Sequence, residues 1–312
     1  MGLLSVLACW ASCKACNPQV TPPRFDTSPD SAGKESADSV DSRDTAPPPM
    51  CAQPEQEPNN NDTEPTFIAR EREACGEISQ SFDLDYYEFE TRTAGWIEID
   101  VDAAERGSAA DLVFGLGSEG GHALLAGKGA QSSDPYILVP VPGADTWRLA
   151  MAEQDPGQGA DEGYEYFFHV SEAKSPITPD SVEVEDHGSW DLAQPIVLGE
   201  VVYATLVEGD ERDWYVLTTP DAKVQLRAEI VAHRLGSPLD TRLVMWKTTK
   251  EGDSLKSSWE EWADTNPFDV GNDPAFERTG GGGEVWYLQV LEARNGTGEL
   301  YWYTITVNEV SE

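Results

Sequence analysis

Hydrophobic residues in this chain alternate with polar ones over short runs, and the runs occur in the same order twice. In the first half Gly76-Glu77-Ile78 leads to Asp83-Leu84-Asp85-Tyr86-Tyr87-Glu88-Phe89, then to Trp96-Ile97-Glu98-Ile99-Asp100-Val101 and Ser108-Ala109-Ala110-Asp111-Leu112. In the second, Gly199-Glu200-Val201 leads to Asp210-Glu211-Arg212-Asp213-Trp214-Tyr215-Val216-Leu217, then to Val224-Gln225-Leu226 and Ser237-Pro238-Leu239-Asp240-Thr241-Arg242-Leu243. Thr146-Trp147-Arg148-Leu149 answers to Val285-Trp286-Tyr287-Leu288, and Tyr166-Phe167-Phe168-His169-Val170 to Tyr303-Thr304-Ile305-Thr306-Val307. Short alternating runs rich in Val, Ile, Tyr, Trp and Phe, closed by Gly, Pro, Asp or Asn, predict half-buried strands. No window carries an apolar stripe at helical spacing over three turns. The expectation is an all-β chain of two tandem antiparallel β-sandwich, jelly-roll-like domains, because strands apolar on one face must pack against a second sheet.

The repeats span 55–173 and 183–310, roughly 120 residues each, a size that supports one core. A linker, 174–182, carries Pro176 and Pro179. Residues 17–54 are Pro, Ser, Asp, Thr and Ala with almost nothing to bury, which predicts a disordered, partly extended tether. Residues 1–16 hold an apolar run, Leu3 to Ala8, too short to span a bilayer. Val6-Leu7-Ala8-Cys9 looks like the lipobox of a bacterial lipoprotein, with Cys9 the lipidated residue, although no Lys or Arg precedes the run. Cys13 is an alternative site, while Lys14 disfavours Cys16; their C-x-x-C spacing has no second pair to complete a zinc site. Export to an outer membrane or cell surface follows, or release to the periplasm or medium. An oxidising compartment would join Cys51 to Cys75, and a loop of that length stabilises by about 3 kcal/mol in the chain-entropy model.

Charge narrows the partners. Asp and Glu number 57 against 21 Lys and Arg, a formal net charge of -36 that repels nucleic-acid phosphates and anionic headgroups. Nucleic acid is excluded as a partner, and membrane contact is left to the lipid anchor. An acidic surface favours divalent cations and solubility.

Glu55-Gln56-Glu57-Pro58-Asn59-Asn60, followed by Asp83-Leu84-Asp85-Tyr86-Tyr87, resembles the bacterial pre-peptidase C-terminal domain, a β-sandwich related to the collagen-binding domains of clostridial collagenases. Ser108 to Asp111 and Ser237 to Asp240 match that family's Ser-x-x-Asp-x-x-Leu element. The resemblance covers both repeats and lies in the order of several motifs. It implies calcium bound where the leading segment folds back on the D-x-D strand, with Glu55, Glu57, Asn59, Asn60, Asp83 and Asp85 as ligands. The matching set in the second repeat is Glu183, Glu185, Asp186, Asp210 and Asp213, where the Pro-Asn pair is absent and His187 follows. These are the hard oxygen donors that calcium requires. Without the resemblance, Asp85 and Asp213 read equally as turn caps.

No catalytic constellation stands out. His122, His169, His187 and His233 form no H-E-x-x-H or His-x-His pair, and no serine sits in a G-x-S-x-G elbow. Gly115-Leu116-Gly117-Ser118-Glu119-Gly120 spells G-x-G-x-x-G but opens no helix, so it reads as a loop between strands. Asp264-Thr265-Asn266-Pro267-Phe268-Asp269 begins like a calcium loop, with Phe268 where a ligand should stand. Most of the ten Trp fall on strand positions and are expected in the core. Trp259 and Trp262 are the exceptions, in a polar insertion, Lys247 to Asn272, that the first repeat lacks: they read as candidate ligand-binding residues or as a local mini-core pinning a long loop. The expected function is a non-catalytic, lipid-anchored surface protein that binds or adheres to an extracellular protein or polysaccharide. A hydrolase or carbohydrate-active protein using an unrecognised carboxylate pair, or a structural spacer, are the other readings.

Overall fold

A computed structural model describes residues 51–127, 133–155, 163–251, 254–263, 273–293 and 296–310, with the backbone alone within 247–263. Cys9, Cys13, Cys16 and the Asp264–Gly271 stretch lie outside the described residues. The first repeat comprises β1 (Gln53–Pro54), β2 (Thr66–Phe67), β3 (Ala74–Glu77), β4 (Leu84–Thr91), β5 (Gly95–Asp102), β6 (Leu112–Ser118), β7 (Ala123–Ala126), β8 (Tyr136–Val141), β9 (Asp145–Glu153) and β10 (Glu165–Ala173). The second comprises β11 (Ser181–Val182), β12 (Gln194–Pro195), β13 (Val201–Thr205), β14 (Arg212–Thr218), β15 (Val224–Val231), β16 (Thr241–Glu251), β17 (Ser254–Ala263), β18 (Ala275–Gly280), β19 (Val285–Glu292) and β20 (Trp302–Glu309).

Each repeat is a pair of five-stranded sheets. The first has strand orders β1-β3-β10-β5-β8 and β2-β4-β9-β6-β7; the second has β11-β13-β20-β15-β18 and β12-β14-β19-β16-β17. Adding ten to each label turns one repeat into the other, so the duplication extends to the whole topology. Most pairings are antiparallel. Contrary to the expectation of wholly antiparallel sheets, β1, β2, β11 and β12 each make a two-residue parallel pairing at a sheet edge. β1 and β11 also begin two residues ahead of the expected repeat starts, within the segments read as tether and linker.

Alternation sends one face of each strand inward. On β4 the inward residues are Asp85, Tyr87 and Phe89, and on β14 they are Asp213, Tyr215 and Leu217, all buried. Trp147 on β9 and Trp286 on β19 are matching anchors of the two cores. Short 3-10 turns, Ala104–Arg106 and His233–Leu235, are each tied to a buried aspartate that accepts three backbone N–H bonds. Asp134 accepts those of Ala103, Ala104 and Glu105, and Asp273 those of Ala232, His233 and Arg234. Gly107 and Gly236, at φ 86° and 91°, close these turns in the left-handed region.

The repeats touch. Leu138 on β8 donates its N–H to Gly236 O (2.8 Å) and accepts Trp302 Nε1–H at its carbonyl (2.8 Å). Trp96 packs edge-on against Trp302, with ring centroids 5.1 Å apart, and against Tyr203. A side chain at Gly236 would strike Leu138 and Tyr136, so the close approach requires glycine there as the turn does.

Two sequence expectations change. Gly115, Gly117 and Ser118 belong to β6 rather than to a loop, because β6 runs between β7 and β9 and its backbone pairs with both. The insertion bearing Trp259 and Trp262 is a long hairpin of β16 and β17, its backbone bonds satisfied by strand pairing. The side chains of Trp259 and Trp262 lie outside the described residues.

Candidate functional site

In the first repeat the leading segment is pinned across the mouth of the sandwich. Cys51 and Cys75 form a disulfide with Cα atoms 6.0 Å apart, Glu55 N–H donates to Cys75 O (2.9 Å), and Tyr86 N–H to Asn59 O (3.0 Å). This brings Glu55 and Glu57 over Asp85, which the pleat of β4 points inward. Each of the three offers a carboxylate oxygen within 4.8 Å of the others. Glu55 Oε1 accepts Glu77 N–H (2.9 Å), and Glu57 Oε2 accepts Asn59 N–H (3.0 Å). Behind them, hydrogen bonds join Glu55 to Tyr87 (3.3 Å), Tyr87 to Tyr166 (2.8 Å), and Tyr166 to Asp85, to which the phenol donates. Gly76 makes room for this chain. A Cβ there would lie 2.3 Å from Tyr87 Oη and 2.6 Å from Glu55 Oε2.

Burial foremost, then the charge of Glu55 and its acidic neighbours, pushes the Asp85 carboxyl up to about 8 against the opposing Tyr166 bond. Burial likewise raises Glu55 to about 7, with Glu57 adding to it and the Glu77 N–H opposing it. Asp85 Oδ1 and Asn59 Oδ1 are buried without a hydrogen-bond partner. A buried oxygen left without a donor is costly, and a divalent cation relieves both that cost and the repulsion among the carboxylates. Glu55, Glu57 and Asp85 therefore fit calcium, and the Asn59 oxygen is a further donor on the same segment.

Asp83, also expected as a ligand, is not in the carboxylate cluster. Asp83 Oδ2 accepts the N–H and hydroxyl of Ser79 (2.7 and 2.8 Å), which makes it a turn cap, and Asn60 is exposed.

The second repeat rebuilds the frame with different contents. Glu183 N–H donates to Tyr203 O (2.8 Å), Trp214 N–H to His187 O (3.1 Å), and Thr205 N–H to Glu183 Oε1 (2.6 Å). Tyr215 and Tyr303 are bonded hydroxyl to hydroxyl (2.8 Å), and Tyr303 donates to Asp213. Glu183, His187 and Asp213 thus occupy the places of Glu55, Asn59 and Asp85, and form the cluster. Glu185, Asp186 and Asp210 do not join it; all three are exposed. His187 entered the sequence reading only as a departure from the motif. Its place four residues after Glu183, matching Asn59 after Glu55, was the available signal. The repeated tyrosines of β10 and β20 were another.

The other histidines lie apart from this cluster. His122 stacks on Trp147 and pairs with Glu299, His169 pairs with Glu73, and His233 sits in a 3-10 turn.

The tryptophans divide differently from the sequence expectation. Trp147, Trp286 and Trp302 are buried, but Trp214 and Trp246 lie half-buried on the outward face of β14, β19 and β16, 6.3 Å apart between ring centroids. Tyr287 shares that face, and Trp190, 46 % exposed, packs edge-on against it. Strand register adds Trp262 to the row Trp214, Gln289, Val244. The same positions in the first repeat hold Tyr86, Glu88, Arg148, Ala150, Gly115 and Gly117, so the aromatic face belongs to the second repeat alone.

Fold and site together define a tandem β-sandwich protein with one acidic cluster per repeat among the described residues, built around the buried Asp85 and Asp213. No protein-family model matches the chain, and no curated protein does. Among solved structures it is similar to the pre-peptidase C-terminal domain of a Bacillus anthracis collagenase, at 18% identity over 37% of this chain and 93% of that one, with a TM-score of 0.27. It is also similar to tandem CBM51 modules of a family 98 glycoside hydrolase from Streptococcus pneumoniae, at 10% identity over 76% and 84% of the two chains, TM-score 0.22. Tandem CBM22 modules from Paenibacillus barcinonensis give 9% identity over 75% and 84%, TM-score 0.22.

Proposed function

We propose that this chain is an exported, non-catalytic binding protein whose ligand is a neutral polysaccharide held on the aromatic face of the second repeat. The observation that carries it is the grouping of Trp214, Trp246, Tyr287 and Trp190 on one outward sheet face. Indole and phenol rings present apolar surfaces to the C–H faces of sugars while keeping polar edges for hydroxyl groups. A net charge of -36 disfavours an acidic glycan. Calcium in the first repeat fixes the leading segment, and a lipid on Cys9 with the 17–54 tether would hold both repeats off a membrane.

Affinity electrophoresis of the full chain through gels containing xylan, glucomannan, mixed-linkage glucan or soluble chitin derivatives tests the ligand. At least one glycan should retard the protein, and Trp214→Ala and Trp246→Ala should each cut retardation about tenfold, the loss of one stacked ring. Migration unaffected by every glycan, or variants retarded like the parent, overturns the reading. Turnover of a retained glycan would make the protein an enzyme.

A further inference from the structure

The two clusters share a frame but not a chemistry. Where the first repeat has Asn59, its Oδ1 buried and without a partner, the second has His187, whose imidazole faces Asp213 and Glu183. Its Nε2 lies 3.4 Å from Glu183 Oε2 and 3.9 Å from Asp213 Oδ1, and the ring is 3 % exposed. Nε2 and Glu183 Oε2 are both buried, and neither makes a hydrogen bond; they face each other at the ion-pair distance of 3.4 Å.

The other ring nitrogen fixes which form of histidine is present. Trp214 N–H is shared between the His187 carbonyl (3.1 Å) and His187 Nδ1 (3.2 Å), so Nδ1 faces a donor with its lone pair and the ring proton sits on Nε2. A metal ion would need the lone pair of Nε2 and a proton on Nδ1, which would face the Trp214 N–H donor to donor.

A second substitution acts in the same direction. Gly76 pairs with Tyr166 on β10, and its counterpart opposite Tyr303 on β20 is Ala204, fully buried. The methyl group stands where the first repeat brings Tyr87 Oη and Glu55 Oε2 within 2.6 Å of the Gly76 Cβ position.

We propose that His187 is a built-in substitute for the cation: its Nε2–H occupies the place between Glu183 and Asp213, so the second repeat takes no divalent ion and the protein carries one cation site, not two. This rests on the first repeat being a calcium site, and the test separates the two ideas.

Metal-stripped full-length protein is titrated with calcium by calorimetry, alongside Asp85→Asn and the double variant His187→Asn/Ala204→Gly. One site in the parent, none in Asp85→Asn and two in the double variant is the expected result. Two sites in the parent, or one in the double variant, overturns the substitution. Absence of binding in the parent overturns the calcium reading of the first repeat and leaves His187 to a second measurement. Long-range ¹H–¹⁵N spectra of the imidazoles should show His187 with an unprotonated Nδ1, unchanged by calcium or zinc. A protonated Nδ1, or a shift of Nε2 on adding zinc, means that the ring is a metal ligand and the proposal fails.

Discussion

Asp85 and Glu55 keep their protons into the neutral range in the metal-free protein, which gives stability a pH dependence of defined sign. In the unfolded chain these carboxyls titrate near about 4. In the fold they titrate at about 8 and about 7. Because the folded values are raised, their contribution is complete below the unfolded value and is lost as pH climbs through the folded ones. Metal-free protein should therefore melt lower at pH 8.5 than at pH 5, by more than Asp85→Asn does. Calcium should raise the melting temperature most at pH 8.5, by an amount corresponding to about 2.7 kcal/mol at a hundredfold excess over its Kd. A calcium shift equal at both pH values would remove the carboxylates from the site. Gly76→Ala tests the same space sterically. Overpacking costs about 1–3 kcal/mol, and the calcium shift should shrink with it. That Glu55, Glu57 and Asp85 come together was legible from their motif order. The tyrosines behind them were not, because an inward tyrosine on a strand looks like any other core aromatic until its hydroxyl partner is placed.

At the scale of elements, the Cys51–Cys75 bridge holds the segment that brings Glu55 and Glu57 over β4. Replacing both cysteines by serine should cost about 3 kcal/mol by the loop-entropy relation, read from denaturant unfolding. Calcium affinity should fall as well, since two ligands lose their anchor; an unchanged affinity would mean that strand pairing alone positions them. The strands were legible because alternation is a local property. The parallel edge pairs were not, since two-residue strands carry no period. Nor were Asp134 and Asp273, whose three backbone partners each lie some thirty to forty residues earlier in the chain. The β16–β17 hairpin was misread as a loop because its polar, charged composition hid a pairing made by backbone atoms.

Across the whole molecule, the duplication was plain in the order of motifs, but the contact between the repeats was hidden. Leu138, Trp96 and Trp302 sit on strands like their neighbours, and only the fold shows that they face the other repeat. Trp96→Ala removes the ring that both Trp302 and Tyr203 pack against. It should cost about 2 kcal/mol or more and split a single calorimetric transition into two, as each sandwich melts on its own. A single transition retained in Trp96→Ala would show that the remaining contacts between the repeats, the two bonds at Leu138, the Leu125–Tyr301 bond and the His122–Glu299 pair among them, suffice.

The disulfide also determines where mechanical load travels. Tension applied to the chain ahead of Cys51 passes through the sulfur bridge into Cys75 on β3, which is laced to β10, and bypasses everything between them. The bypassed span, a sequence separation of 24, contains Glu55, Glu57 and Asn59. Stretched at its N-terminus, the oxidised protein keeps its acidic cluster slack while its sheets bear the force. Reduction should release an added contour length of about 80 Å in a pulling experiment, at 3.3–3.6 Å per residue, and expose the cluster to the pull for the first time.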